Sequence, residues 1–290
     1  LSTAAVSALA TDAIADLNSD QLSAFSSTQF AAFSSNQLSA LDGTDWQDLS
    51  TSLLRALGSA QLSLIAADEI PFMRPGQIAL LSSNQLAGWN SEQIAALVTE
   101  QVAAFTPGAL KSLSTEQFAA LNAEQVGAIG TAQIAALSSQ QLQQLSTEEM
   151  QGLRADQIAA LTCRQMGAFS TEQLQALDSD DIAALTAVQI DGLSTAQIQG
   201  FLPAALVGLE TADILSLTLV QAHSLTSDQI ALLSAAQLDA LLSVSPLMLD
   251  LDGNGVQTLA SANGVQFDLL GTGRSAQWGW AGGGDGLLVR

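Results

Sequence analysis

The sequence predicts an all-α fold: a solenoid of short capped helices, one per octapeptide repeat, followed by a small non-helical module of β-hairpin or loop type. Three observations carry this. An apolar residue recurs every eighth position through Leu1, Leu9, Leu17 and Phe25 to Leu225, Leu233 and Leu241, so thirty octads run from Ser2 to Leu241 without a slip in register. With the positions numbered so that Ser194 is one and Phe201 is eight, position one is Ser, Thr, Asn, Asp or Gly in 23 of 30 octads. Position four is Gln in 20 octads and Asp or Glu in five more.

A hydroxyl or Asx side chain followed three residues later by Gln or Glu is a capping box. The first side chain accepts from an exposed amide at the helix start, and the second reaches back to the cap's own N–H. Position eight then precedes each cap and position five is the fourth helical residue, so pairs such as Leu193 with Ile198 have the spacing of a hydrophobic staple. Pro75, Pro107 and Pro203 all fall at position two, the first helical residue, where a missing N–H costs nothing. Glu92, Glu100, Glu116 and Glu172 stand in the first turn, where the helix dipole favours acids.

Competing structures fit less well. In one continuous helix each octad turns about 800°, so the apolar stripe would drift by roughly 80° per repeat and wrap the rod. In a strand, positions five and eight would point to opposite faces. Helices of about five residues are marginal alone and need neighbours. Position seven, Ala, Gly or Ser in 23 of 30 octads, would let short helices approach closely while positions five and eight fill the interior. The result is a quasi-one-dimensional stack.

Along the chain, residues 1–65 are regular apart from the octad containing Asp42, Gly43 and Trp46. Residues 66–76 are the most irregular, with Pro71 in a helix interior and Arg74 at a cap position; a decayed repeat is favoured over a kink. The block 77–201 is the cleanest, and the octads at 202–225 lose their caps at Leu202 and Glu210. Phe30, Phe33, Trp46, Trp89 and Phe105 sit at positions five and eight and read as core. His223, the only histidine, lies at position six and is expected in solvent; Cys163, the only cysteine, stands at position two as a small residue at a helix start. The Ser/Thr columns read as caps, with a hydroxyl ladder for ice or glycan as the rival.

Charge narrows the function. With 7 Lys and Arg against 28 Asp and Glu the net charge is −21, which excludes the basic footprint that nucleic acid or an anionic membrane surface requires. No apolar run approaches the roughly 18 residues of a membrane span, so no membrane insertion is expected. A single cysteine forbids an intramolecular disulfide. Without a readable titratable cluster, no enzyme is expected. The absence of a signal pattern and the opening Leu1 suggest an excerpt of a longer protein.

The composition changes after Ser243, dividing the chain into a solenoid at 1–243 and an Asp/Gly-rich module at 244–290. The run from Pro246 to Val256 places oxygens at alternate positions and then glycine, the front half of a calcium loop. Asp250, Asp252 and Asn254 would supply side-chain oxygens and Val256 its carbonyl, with Gly255 allowing the sharp turn. Ser261 stands where the bidentate Glu is expected, leaving Asp268 or Asp285 to complete the set. The rival reading is an Asp-Gly/Asn-Gly hairpin turn between apolar strands.

This segment resembles a module of large RTX-type, calcium-dependent bacterial proteins exported by type I secretion. The resemblance rests on Pro246-Leu-Met-Leu-Asp250-Leu-Asp252-Gly-Asn254-Gly255, on Phe267-Asp268-Leu-Leu270-Gly-Thr272-Gly273, and on Trp280 with Asp285-Gly-Leu-Leu-Val289. Leu270 replaces a second Asp, so a second loop does not follow. The octads are similar to arrays of long secreted bacterial proteins. The resemblance implies export, an extracellular or cell-surface location and folding assisted by Ca2+. The expected function is therefore a structural stalk, spacer or scaffold. The alternative is an adhesin-like binding solenoid whose partner is a surface protein, a glycan or a second copy.

Overall fold

The computed structural model describes residues 1–244 and, beyond them, four two-residue strands. The chain divides into two compact units, Leu1–Leu177 and Asp178–Arg290.

In the first unit each octad forms one short helix, as at Thr115–Phe118, Ala123–Gly127, Thr131–Ala136 and Ser139–Leu142. The start is set by the capping box. At Ser114 the backbone is extended (φ −63°, ψ 163°), Gln117 N–H donates to Ser114 Oγ (3.1 Å), and Ser114 N–H donates to Gln117 Oε1 (2.8 Å). The end is set at position eight. After Thr131–Ala136 the backbone of Leu137 turns extended (φ −59°, ψ 147°), while its N–H still donates to the Ile134 carbonyl (3.2 Å). The following cap is extended as well, and two extended residues in succession end any helix without a left-handed residue. That is why most octads have no glycine at the exit.

The core forms as the spacing predicts. Position-five residues such as Ile94, Leu110, Phe118 and Leu142 are wholly or almost wholly buried, and position-eight residues such as Trp89, Leu113 and Leu121 nearly so. Each buried Leu, Ile or Phe contributes about 1.5–3 kcal/mol. Three or four successive octads share this interior, which compensates helices too short to persist alone.

Contacts reveal a second period that the octad alone does not show. Helices pack on the third one along, Pro107–Lys111 on Thr131–Ala136 and that in turn on Ala155–Ala160. Gln side chains reach further back: Gln117 Nε2 donates to the carbonyls of Trp89 (2.7 Å) and Leu86 (2.8 Å), 28 and 31 residues earlier. One superhelical turn is thus close to 28 residues, or three and a half octads.

The irregular stretch keeps its place in this scheme. Residues Ala67–Phe72 form a 3-10 helix that contains Pro71, yet Ile70 and Met73 still occupy positions five and eight and are buried. The repeat has decayed in its capping while holding its register and its core.

The second unit repeats the pattern. Ser194 caps Thr195–Gly200, which packs on Leu219–Ser224; Leu202 and Glu210 supply no side-chain cap, and Pro203 opens its helix. The last helix among the described residues, Ala235–Val244, runs to ten residues. Beyond it Met248–Leu249 pairs antiparallel with Gly286–Leu287, and Gln266–Phe267 with Ala276–Gln277.

Candidate functional site

The side chains that do most in this molecule are the glutamines of position four. Each is bifunctional. Its carbonyl oxygen accepts from the cap N–H three residues earlier, and its amide nitrogen donates across to the preceding superhelical turn. Gln101 is wholly buried, with Oε1 taking Val98 N–H (2.9 Å) and Nε2 donating to the carbonyls of Ile70 (2.7 Å) and Met73 (2.6 Å). The same pattern recurs at Gln37, Gln77, Gln85, Gln93, Gln141 and Gln173 in the first unit. Gln221 and Gln229 repeat it in the second. Sequence reasoning found the accepting half and assigned the whole column to capping. It missed the clamp between turns. The signal was the unspent amide: a buried Gln has two donors that also need partners.

Position seven has a structural partner too. A Cβ on Gly88 would overlap the Ser59 carbonyl oxygen, 29 residues earlier, and in the second unit a Cβ on Gly208 would overlap that of Ser179. The small residue lets a helix C-terminus meet the backbone of the octad three repeats before it, rather than the one beside it in the chain.

Of the five acids at position four, Asp45, Glu149, Asp181 and Asp213 make only the capping half of the clamp. Asp42 N–H donates to Asp45 Oδ2 (3.1 Å), Ser146 N–H to Glu149 Oε2 (2.6 Å), and Glu210 N–H to Asp213 Oδ2 (3.2 Å). Burial raises the Asp45 carboxyl above its usual range, with Asp42 and Asp48 adding to the shift and the Asp42 N–H opposing it. Burial likewise raises Asp213, with Glu210 adding. Glu69 is raised by burial and by Asp68, Asp42 and Asp45. Arg74 pairs with Asp48 at 2.7 Å at the rim of this group.

The residues that could carry chemistry are dispersed. His223 and Cys163 are both exposed. Among the described residues no three His, Cys, Asp or Glu side chains gather as a metal would require. A cleft of about 410 Å³ in the first unit is bordered by Trp89, Ser91, Ser114 and Glu116. Trp89 Nε1 is the one buried side-chain polar atom without a hydrogen-bond partner among the described residues. The calcium candidates Asp250, Asp252, Asn254, Val256 and Asp268 lie outside the described residues, as does Asp285.

Comparison with known families agrees with this geometry. Residues 73–107 and 126–163 match the model of the ALTTAQ repeat. This is a helical repeat protein. Residues 247–290 match the SPM domain, over the stretch that resembles the RTX-type module; the match leaves calcium binding there as a proposal. No curated protein matches the chain. Among the described residues no helix is long and apolar enough to cross a membrane.

Proposed function

We propose that the helical array is a stalk, spacer or scaffold of a secreted or cell-surface bacterial protein, without catalytic activity of its own. The observation that carries this reading is the use of the polar columns. Ser, Thr and Asn at position one cap helices, and Gln at position four both caps and clamps, so the most regular polar groups are consumed in holding the array together. A scaffold needs only such repetition, and its stability grows by nearest-neighbour terms as repeats are added.

The segment 246–290 takes Ca2+ in this reading. Asp250, Asp252, Asn254 and the Val256 carbonyl are its ligands, with Asp268 completing the set, and calcium outside the cell assists its folding. Circular dichroism and thermal melting of the full chain with calcium and with chelator test both parts. Strong helicity under both conditions, with an added calcium-dependent transition, supports the reading. A chain without helical signal removes the scaffold, and indifference to calcium removes the metal.

One observation favours a binding solenoid as the second reading. In the second unit the apolar side chains of Val188, Leu215, Leu219 and Val220 are more than half exposed. Binding to a glycan array or a surface-protein pull-down that is lost on replacing these side chains with serine would favour it over the stalk.

A further inference from the structure

The glutamine clamp runs in one direction, and the C-terminal end of the array lacks it. Each position-four amide reaches back, so the carbonyl at position eight is served by the glutamine 28 residues ahead of it. In the second unit the last such bonds run from Gln221 to Leu193 (2.8 Å), Gln229 to Phe201 (2.9 Å) and Gln237 to Leu209 (2.7 Å). The next position-eight residues are Leu217, Leu225 and Leu233, and 28 residues ahead of them stand Ser245, Gly253 and Ser261, none with an amide side chain. A carbonyl at position five also accepts from the N–H of position eight, as Ala222 does from Leu225 (3.4 Å). Position eight has no such second source. Among the described residues no donor reaches the Leu217, Leu225 or Leu233 carbonyl.

Apolar cover thins at the same place. Leu225, Ile230 and Leu238 are half-buried, whereas Leu193, Ile198 and Leu206, which hold the same positions four octads earlier, are buried. Leu217 and Leu233 are themselves buried residues, so their carbonyls need partners. A stack of repeats requires a terminal element that closes such an edge.

We propose that residues 246–290 are the cap of this face, giving donors to the carbonyls of Leu217, Leu225 and Leu233 and apolar cover to Leu225, Ile230 and Leu238. The course of the chain favours this occupant. The last described helix ends at Val244, so Met248 is tethered within about 14 Å of it. Gly286–Leu287 pairs with Met248–Leu249, which returns the far end of the segment to the same place. The segment's composition suits both tasks. Gln266, Arg274 and Gln277 carry side-chain N–H groups, and Trp278 and Trp280 combine an apolar body with an indole N–H. A donor other than glutamine is accepted elsewhere in the array: in the first unit the Arg154 guanidinium donates to the carbonyls of Gly127 and Ile129 in the preceding turn.

The rival occupant is a second copy stacked on the end. Residues 210–241 carry Glu210, Asp213, Asp228 and Asp239 with no Lys or Arg, and a second copy would bring its own net charge of −21, so like charge opposes it. Capping does not require that the segment hold calcium, so loss of the metal reading would leave it standing.

The test is amide hydrogen exchange of the full chain, with calcium present throughout, on wild type and on W278A/W280A. Removing the two indoles should speed exchange in Leu219–Ser224 and Ser227–Ala231 by about tenfold, the effect of one or two net hydrogen bonds on local opening. Thr195–Gly200, whose octad is clamped from ahead by Gln229, should stay unchanged. Equal change in the two sets, or none in either, would overturn the proposal. Wild-type protection of the last helices that falls on dilution would place a second copy on the face and overturn it also. A second measurement is independent of the tryptophan variant: photoreactive benzoylphenylalanine in place of Leu225 should cross-link, within one chain, to residues 263–290. Cross-links formed only between chains, or none to that segment, would contradict the cap.

Discussion

Replacing Gln101 with alanine tests the clamp where it is most complete. The side chain is fully buried and makes three bonds, one accepted from Val98 N–H and two donated to the carbonyls of Ile70 and Met73. Val98 has no side chain that can cap, so the bond from Val98 N–H to Gln101 Oε1 is the only half of the capping box made at this helix start. At about 1 kcal/mol net for each bond, Gln101→Ala should cost about 3 kcal/mol. Gln101→Met keeps the volume and loses the same three bonds, so it should also cost about 3 kcal/mol, and any excess in Gln101→Ala reports lost packing. The Met variant separates hydrogen bonding from packing. The assay is urea unfolding of the full chain by circular dichroism, with hydrogen exchange at residues 70–73 as a local readout. The 3-10 segment Ala67–Phe72 lacks the capping of its neighbours, so loss of protection should concentrate there. A Gln101→Ala protein within about 0.5 kcal/mol of wild type, the size of an ordinary surface change, would refute the clamp.

Further outcomes follow from the same contacts. Gly88→Val should destabilise by about 1–3 kcal/mol through collision with the Ser59 backbone, whereas Gly76→Ala, with open space at that site, should be neutral or stabilising; thermal melting of the two variants checks this. Ile158→Ala at a buried position five should cost about 2–5 kcal/mol in the same melts. Arg74→Ala breaks an exposed pair with Asp48 and should cost less than about 1 kcal/mol, less still at high salt. Asp250→Ala combined with Asp252→Ala should abolish any calcium-dependent rise in melting temperature while leaving the helical signal intact.

The octad, its phase and its core were legible in the sequence because each is local. Pro107 at position two, Ser114 three residues before Gln117, and Phe118 paired with Leu113 all report on a single repeat and its neighbour. The 28-residue turn was not legible, because it depends on how far the chain rotates at each extended pair of residues such as Leu137 and Ser138. A small torsional difference at each exit accumulates over the array, and no residue type reports it. Counting bonding sites would have narrowed the gap: the accepting oxygen of Gln117 explained the column, while its amide nitrogen still needed an acceptor. Position seven shows the same limit, since the small residue at Gly88 was foreseen but its partner Ser59 was not. The decay of the octad around Pro71 was readable because Ile70 and Met73 kept their positions. The calcium candidates from Asp250 to Asp268 lie outside the described residues, so the sequence reading of that module stands as the proposal made above.

The most direct test of the architecture is a distance between two exposed sites one superhelical turn apart. Spin labels at Thr115 and Gln143 are separated by 28 residues, the spacing at which Gln117 reaches back to Trp89. Adjacent turns bring packed backbones to about 10 Å, so double electron–electron resonance or continuous-wave broadening should report a distance below about 20 Å once label arms are included. An unbroken helix would separate the same residues by about 42 Å, and an extended strand by about 90 Å; either distance would contradict a chain that restarts a short helix at every octad.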